Sequence, residues 1–427
     1  MSATAVPPQI AGRVYHTPSV RWLSIDPLRV DKYLGLALRS VSLMNKNTEN
    51  ELIEELLGLH KAKSFFMTSE SSVVSVERYR DAATFEAERQ KLFRRLPMVA
   101  AHSSELENSG DFLTRVISDL PVLLTRDSSG EVNAFLNICR HRGAELVAEA
   151  NGCKQRFSCP YHAWTYSNDG SFTGAPHLDE GFPNLIKSEY GLTRLPALER
   201  EGLIWIIGNP TLAARSQLQI ETFIEPLISS LRWLDMRQLT PAASDTLTVN
   251  ANWKILTEGG LEAYHFKVAH RKTIAPYFID NLSTFRMLGE HSMHVLAKNS
   301  LAELAGKPKD EWEVRKHCNI IFAAFPLDSF LLIEDHIAWI HLRPVDVNST
   351  EIMLTSLVPR SQLTAERMPH WEQNHAITKA TLMEDWRLNE GIQRGLNTGV
   401  QTEFTLGRFE SALMTFNQQI DRHLIQE

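Results

Sequence analysis

The chain has 427 residues, of which 43% are hydrophobic and 22% are charged, a composition that suits a core large enough for two domains. Its 44 basic and 51 acidic residues give a net charge of −7, which argues against nucleic acid and anionic membranes as partners. Residues 1–14 lack the basic start and apolar core of a signal peptide, and no run of about eighteen apolar residues follows, so we expect a cytoplasmic protein. Four cysteines are too few for a disulfide framework and indicate metal chemistry instead.

The first 96 residues have the periodicity of helices and reveal no chemistry. Their apolar residues recur at helical spacing in Leu52, Leu56 and Leu57 and again in Phe85, Leu92 and Phe93. We interpret residues 1–96 as an N-terminal helical extension that packs with a larger C-terminal domain.

A change of pattern after Pro121 marks a small β-domain. Short apolar runs at residues 122–124 and 132–136 flank a turn-forming segment, which predicts a β-hairpin that leads directly into Cys139. A strand at residues 203–207, followed by a Gly-Asn-Pro breaker, closes this part of the chain. We therefore divide the rest of the chain into a β-domain, 97–208, and a second domain, 209–427.

The β-domain contains a Cys-x-His…Cys-x-x-His pattern. Cys139 and His141 form the first pair, and Cys159 and His162 form the second, with seventeen residues between the pairs. Two cysteines can hold one iron of a [2Fe–2S] cluster while two histidines hold the other. A tetrahedral zinc site with the same ligands is the alternative. We favour the cluster because zinc motifs usually pair like residues, whereas each loop here supplies one Cys and one His.

The second domain is predicted to combine one sheet with a long helix. Apolar runs at residues 320–325, 330–333, 338–342 and 352–357 are typical of successive strands, and residues 377–396 have the pattern of a helix. These elements would surround a second candidate site.

Two histidines and a carboxylate form this second constellation. His265 and His270 lie five residues apart, which turns an ideal helix by about 140°, so both imidazoles reach one metal only if the helix is distorted or ends between them. Two histidines and one carboxylate on one face of Fe(II) leave positions open for dioxygen and substrate. Asp385 is the preferred carboxylate, because neighbouring Glu384 lies toward the polar side and would be a solvated charge. Asp385 shares an apolar stripe with Leu382, Leu388, Ile392 and Leu396.

Taken alone, this constellation is also compatible with a protein that holds no metal there. Two unrelated histidines, or a buried salt bridge made by Asp385, would produce the same pattern. The remaining cysteines, Cys153 and Cys318, receive no role.

The motifs resemble those of Rieske non-haem iron oxygenases, terminal oxygenase (alpha) subunits. The segments NICRHRG at 137–143 and CPYHAWTY at 159–166 are similar to the oxygenase branch, since Ala144 and Tyr161 stand where respiratory Rieske proteins carry an extra cysteine pair. The resemblance runs from about Val76 to the C-terminus. It implies an α+β fold, with a small antiparallel β Rieske domain and a larger catalytic domain whose antiparallel sheet is flanked by helices.

The resemblance also implies cofactors and partners. It assigns one [2Fe–2S] cluster per subunit to Cys139, His141, Cys159 and His162, and one mononuclear Fe(II) to His265, His270 and Asp385. Electrons would come from a separate NAD(P)H-dependent reductase, directly or through a ferredoxin, to hydroxylate a small organic substrate with dioxygen. The subunits would form a homotrimer, in some members with a β subunit. Glu262 would link a cluster histidine of the neighbouring subunit to an iron histidine.

The substrate class stays open between aromatic and quaternary ammonium compounds. Glu262 stands where ring-dihydroxylating members usually have aspartate, and this resembles carnitine-type monooxygenases. A quaternary ammonium ion would need an aromatic cage, but the candidate residues are equally well explained as core: Tyr264, Phe322, Phe325, Phe330 and Trp339. Glu258-Gly-Gly260 departs from the Glu-Asn-Phe of many members, so an amide commonly placed near the iron is missing. The rival interpretation is a Rieske electron carrier or a zinc-stabilised binding protein, neither of which would need the second triad.

Overall fold

The computed structural model describes residues 44–212 and 216–425. Its first element is helix α1, Lys46–Ala62, which begins where the Asn45 side chain accepts hydrogen bonds from the backbone N–H groups of Asn47 and Thr48. The helix buries one apolar face, formed by Leu52, Ile53 and Leu56. The predicted helix around residues 52–57 is therefore confirmed, whereas residues 1–43 lie outside the described part of the chain.

The rest of the N-terminal extension contains both helix and strand. Strand β1, Ser72–Ser75, pairs antiparallel with the distant segment Glu403–Leu406. Helix α2, Ala82–Glu88, continues into the π-helical turn Arg89–Phe93, and its apolar side is buried as the sequence predicts. The pairing of β1 connects the extension to the C-terminal part of the chain. The sequence of this four-residue strand did not predict the pairing.

The small β-domain consists of short antiparallel strands in three sheets. A five-stranded sheet has the order β10-β5-β4-β3-β6, and two three-stranded sheets have the orders β11-β12-β2 and β7-β8-β9. The strands are β2 (Met98–His102), β3 (Asp111–Ile117), β4 (Leu120–Arg126), β5 (Val132–Leu136), β6 (Asn151–Cys153), β7 (Arg156–Ser158), β8 (Thr165–Ser167), β9 (Phe172–Gly174), β10 (Arg194–Leu195), β11 (Ala197–Arg200) and β12 (Leu203–Ile206), with the short helix α3 (Leu178–Gly181) after β9.

The predicted hairpin is the pair β4–β5, in which Val122 lies opposite Leu136. Its turn is closed by Asp127, whose carboxylate accepts the backbone N–H groups of Ser129 (2.9 Å) and Glu131 (3.1 Å). The chain leaves β5 three residues before Cys139, so this hairpin positions the first cysteine loop.

The second domain is built on one antiparallel sheet of seven strands, in the order β13-β19-β18-β17-β16-β15-β14. Its strands are β13 (Leu239–Val249), β14 (Phe278–Leu288), β15 (His291–Lys298), β16 (Cys318–Ala324), β17 (Asp328–Ile333), β18 (His336–Asp346) and β19 (Ser349–Pro359). The helices are α4 (Ser216–Trp233), α5 (Trp253–Gly259), α6 (Phe266–Ala269), α7 (Val314–His317), α8 (Met368–Asn397) and α9 (Ser411–Ile425), and β20 (Glu403–Leu406) precedes α9. All four predicted strands and the long predicted helix are therefore present.

Helices cover both faces of this sheet. On one face, α1 and α4 form an apolar core with strand residues such as Phe322, Phe330 and Trp339. On the other face, α5 and α8 contact each other and the strands, and α9 completes the layer. The α+β fold is thus confirmed, and the second face carries the helices that hold the candidate metal ligands.

None of the helices in the described ranges combines the length and the hydrophobicity that a membrane span requires. The domain boundaries at residues 96 and 208 stay predictions.

Candidate metal centres

Two loops of the β-domain share one backbone design. The carbonyl of Cys139 accepts a hydrogen bond from the N–H of Gly143 (3.0 Å), and that of Cys159 accepts one from the N–H of Ala163 (2.9 Å). Gly143 and Ala163 both have positive φ angles, +77° and +54°, which reverses each loop four residues after its cysteine. The two Cys-His pairs are therefore held by matching tight turns.

The two thiols of these loops are buried in the core of the β-domain without forming a disulfide. Burial raises the pKa of the Cys139 thiol, the Tyr166 hydroxyl lowers it, and the nearby Cys159 raises it again. The Tyr166 hydroxyl lies 3.4 Å from the Cys139 sulfur and accepts the Arg140 N–H at 3.0 Å. A bound metal would supply the positive charge that two buried thiolates need.

The two histidines of the loops present unpaired nitrogens. The Nδ1 atoms of His141 and His162 are buried and have no hydrogen-bond partner, and the ring centroids are 4.8 Å apart. Trp164 stacks on His141 with an interplanar angle of 5° and fixes that ring. A buried unpaired ring nitrogen is costly, and metal ligation satisfies it. The donor set of two thiols and two free imidazole nitrogens therefore fits a Rieske-type [2Fe–2S] cluster.

The second pair of histidines brackets a helix of a single turn. His265 stands immediately before α6 and His270 immediately after it. Because the helix ends at both histidines, the two imidazoles escape the divergence of about 140° that a continuous helix would impose. This is the interruption that the five-residue spacing required.

Asp385 of α8 meets both imidazoles. Its Oδ1 atom lies 3.0 Å from Nε2 of His270 and 3.6 Å from Nε2 of His265. One ligand atom from each of the three residues lies within 4.8 Å of the others. Two imidazoles and one carboxylate in this arrangement can hold Fe(II) on one face and leave the opposite side open.

A second carboxylate lies behind each histidine. Glu262 accepts a hydrogen bond from Nδ1 of His265, and Glu384 accepts one from Nδ1 of His270 at 2.9 Å. The hydroxyl of Thr273 also donates to Glu384, at 2.6 Å. Both carboxylates hold the proton on Nδ1, so both histidines present Nε2 toward Asp385.

These contacts correct the expectation for Glu384. We predicted a solvated charge, but the side chain is engaged by His270 and Thr273. The sequence did contain a signal for this role of Glu384, namely the adjacent acids 384 and 385 on one helix. At a metal held by two histidines, one carboxylate can be a ligand while others accept hydrogen bonds from the histidines.

The electrostatics of this site favour positive charge. Burial acts to lower the pKa of His270, but Asp385 and Glu384 outweigh burial and raise it. Thr273 and His270 together lower the pKa of Glu384. Clustered carboxylates beside two imidazoles thus fit a divalent cation.

The packed face of α8 differs from the one we predicted. Leu388 and Ile392, which we placed on a buried apolar stripe, are 52% and 41% exposed. The buried face instead combines polar with apolar residues: His375, Thr378, Thr381, Asn389 and Gln393 lie there with Trp371, Trp386 and Leu396. Asp385 reaches the histidines from the border between these two faces, so the argument from an apolar stripe was wrong although the residue lies at the site.

Buried polar contacts anchor helix α5, which precedes the first histidine. The Glu258 carboxylate accepts hydrogen bonds from the Tyr79 hydroxyl (2.6 Å) and the Asn417 amide (2.7 Å). Lys254 forms a fully buried ion pair with Glu88 at 2.5 Å. Burial raises the pKa of Glu258, against the effect of these hydrogen bonds. The acid of the Glu-Gly-Gly segment is therefore bound within the fold, and the two glycines that follow it place no side chain near the histidines.

Comparisons with known proteins agree with this architecture. The sequence-family model of the Rieske [2Fe-2S] domain matches residues 97–195, and that of the ring hydroxylating alpha subunit (catalytic domain) matches residues 236–426. The chain is 30% identical over 257 residues to the N,N-dimethyl phenylurea N-demethylase subunit alpha of Sphingobium sp. (strain YBL2), which covers 57% of this chain and 56% of that relative. It therefore spans little more than half the length of that protein.

Two further similarities cover more of the chain. The carnitine monooxygenase oxygenase subunit of Escherichia coli (strain K12) is 28% identical over 326 residues, covering 75% of this chain and 83% of that relative. The crystal structure of the quaternary ammonium Rieske monooxygenase CntA with L-carnitine superposes with a TM-score of 0.69 at 22% identity, covering 82% of this chain and 94% of that one. The two domains are those that bind a Rieske [2Fe–2S] cluster and a mononuclear Fe(II). The chain belongs to the alpha subunits of the Rieske-type ring-hydroxylating oxygenases.

Proposed function

We propose that this chain is a terminal oxygenase, which activates dioxygen at mononuclear Fe(II) and hydroxylates a small organic substrate. The observation that carries the proposal is the convergence of His265, His270 and Asp385 in a chain that also has a Rieske domain. A Rieske electron carrier or a zinc-stabilised binding protein has no use for this second set of ligands.

The proposed roles follow the donor atoms of each site. Cys139 and Cys159 would hold one iron of the cluster, and the partnerless Nδ1 atoms of His141 and His162 would hold the other. His265, His270 and Asp385 would hold Fe(II). When bound, the cluster supplies electrons one at a time and Fe(II) supplies the position at which dioxygen reacts.

The chain's own carboxylates prepare the iron ligands. Glu262 and Glu384 keep the Nδ1 protons of His265 and His270 in place, which fixes the tautomer and raises the basicity of each Nε2. Glu262 would also receive the electron path from a cluster histidine of a neighbouring subunit. It suits that role because its side chain stays partly exposed while it contacts His265.

Partners follow from the need for electrons. No flavin- or nicotinamide-binding sequence is evident in the chain, so a separate NAD(P)H-dependent reductase would supply them, directly or through a ferredoxin. A homotrimer, with or without a β subunit, would bring the cluster of one subunit close to the iron of the next. The exposed Tyr161 ring, which lies against His162 in the cluster loop, would be available for such a contact.

For the substrate, the structure favours a compound with an apolar body. Phe322, Phe330 and Trp339 belong to the core on the sheet face away from the triad helices, so they cannot line a cation cage. A cavity between α5, α9 and the sheet has mostly apolar walls, which include Leu261, Phe285, Met287, Phe325 and Ile340. The carboxylates of Glu290 and Asp328 also line it, and no Lys or Arg does. Aromatic and N-alkyl compounds suit these walls.

Metal analysis of anaerobically purified protein tests the proposal. An oxygenase should contain about three irons per chain, two in the cluster and one mononuclear. Asp385→Ala should lose the mononuclear iron and keep the cluster absorption, because the two sites lie on separate loops and helices. About two irons in the wild type would indicate an electron carrier, and a single zinc would exclude both metal assignments.

A further inference from the structure

A buried amide without a partner lies next to the proposed iron ligands. Asn389 is 6% exposed and follows Asp385 by one turn of α8, which places both side chains on neighbouring parts of one helix face. Within residues 44–212 and 216–425, its side chain makes no hydrogen bond. The amide atoms are not fully enclosed by the fold, so they remain available to a partner from outside it.

The space beside this amide is open. A Cβ atom added to Gly259 would meet a single neighbouring atom within 4 Å outside its own helix, the Asn389 Nδ2 at 3.8 Å. A Cβ on Gly260 would meet nothing nearer than the Thr257 carbonyl at 3.4 Å. Gly259, the last residue of α5, thus leaves room beside the amide, on the segment that leads to His265.

Gln393, on the next turn of the same helix, has a buried amide that is hydrogen-bonded within the fold. Gln393 is 2% exposed, and its Oε1 accepts the backbone N–H of Asn252 at 2.9 Å. Its Nε2 donates to Asn348 (2.8 Å) and Asn397 (3.1 Å). The two side chains on this helix face therefore differ: the Gln393 amide is fully hydrogen-bonded, whereas the Asn389 amide has no partner among the described residues and faces an open space.

We propose that Asn389 is a substrate-binding residue, whose amide donates a hydrogen bond to an acceptor oxygen of a neutral organic substrate. The inference rests on the proposed oxygenase function, because Asn389 can orient a substrate only if the neighbouring triad holds the iron. The substrate class is then an apolar compound with a carbonyl, ether or hydroxyl oxygen. Anchoring that oxygen one helical turn from Asp385 would determine which carbon of the substrate lies closest to the metal.

The first test compares the holoenzyme with two near-isosteric variants by thermal unfolding. Asn389→Leu removes an amide that pairs with nothing, so its Tm should equal or exceed that of the wild type. Gln393→Leu removes an amide with four hydrogen bonds, so its Tm should fall by several degrees. If Asn389→Leu also loses Tm, the fold itself needs the amide and the proposal is overturned.

The second test measures binding of two probes of similar size, acetanilide with a carbonyl acceptor and propylbenzene without one. Asn389→Leu should weaken acetanilide binding by about five- to tenfold and leave propylbenzene binding unchanged. Equal effects on both probes, or a wild type that does not bind acetanilide, would overturn the assignment. Iron content separates the two proposals: protein without mononuclear iron contradicts the oxygenase, whereas a full iron load with no probe selectivity contradicts only the role of Asn389.

Discussion

Removal of the Glu384 carboxylate should weaken iron binding while leaving the cluster intact. His270 has a side chain only 2% exposed, and Glu384 accepts its Nδ1 proton at 2.9 Å. Loss of such a partner typically costs about 10- to 100-fold in metal affinity, or about 1.4–2.7 kcal/mol. Thr273 loses its acceptor in the same variant, so we expect Glu384→Ala to approach the upper end of this range. Glu384→Gln keeps an acceptor oxygen without the charge and should be milder.

The assay is anaerobic dialysis of each variant against graded chelator, followed by iron analysis. Cluster absorption in the same samples reports the first site and serves as the internal reference. Glu372→Ala is the matched control, because Glu372 is an exposed carboxylate on the same helix with no hydrogen bond or ion pair in the described part of the chain. If Glu384→Ala retains iron as well as Glu372→Ala does, the carboxylate does not support the ligand and our interpretation of the pair is wrong.

Three further predictions address the cluster, the electron path and acid stability. Cys139→Ser or His162→Ala should abolish the visible absorption of the cluster while mononuclear iron stays bound; a variant that keeps the oxidised spectrum is not missing a ligand. Glu262→Gln should retain both metals but oxidise a pre-reduced cluster far more slowly in a single turnover with substrate and dioxygen, with Glu262→Asp milder, and a wild-type rate in the Gln variant would remove Glu262 from the path. Burial lowers the pKa of His294 to about 3, so the unfolded chain takes up a proton at this residue near pH 6.5 and the folded chain does not. Below pH 6.5 the free energy of unfolding should therefore fall by up to about 1.4 kcal/mol per pH unit because of this residue. Denaturant titrations of His294→Phe should show a weaker loss of stability in acid.

The sequence predicted those parts of the fold in which apolar side chains recur with the period of the strand or helix. Residues 320–357 alternate between a closed core and a more open face, as in β16 and β17, and this alternation is visible as apolar runs. The short strand β1 has no such repeat and exists only because Glu403–Leu406 pairs with it from more than three hundred residues away. Local pattern therefore identified the sheet, and only the tertiary structure could identify this long-range pairing.

The same limit explains the helix that carries Asp385. Hydrophobic periodicity assumes that a helix packs with its apolar residues, yet α8 packs with Thr378, Asn389 and Gln393 and exposes Leu388 and Ile392. The Gln393 side chain pairs with neighbouring chain segments, so polarity on that face is compatible with burial. Buried polar residues that hydrogen-bond within the fold, such as Gln393, thus mislead a prediction based on hydrophobicity.

The histidine pair shows how an unfavourable spacing becomes a functional one. A continuous helix would separate the two imidazoles by about 140°, but α6 ends after one turn, and a carboxylate outside the helix holds the histidine at each end. Glu262, four residues before α6, accepts a hydrogen bond from His265. Glu384 accepts one from His270 and lies on α8, the helix that also carries Asp385. Because α8 supplies both a proposed ligand and a hydrogen-bond acceptor, any movement of that helix shifts His270 and Asp385 together. The geometry of the site therefore depends on how firmly α8 packs on α5 and the sheet, and the paired amide of Gln393 stabilises that packing while the free amide of Asn389 is left for the substrate.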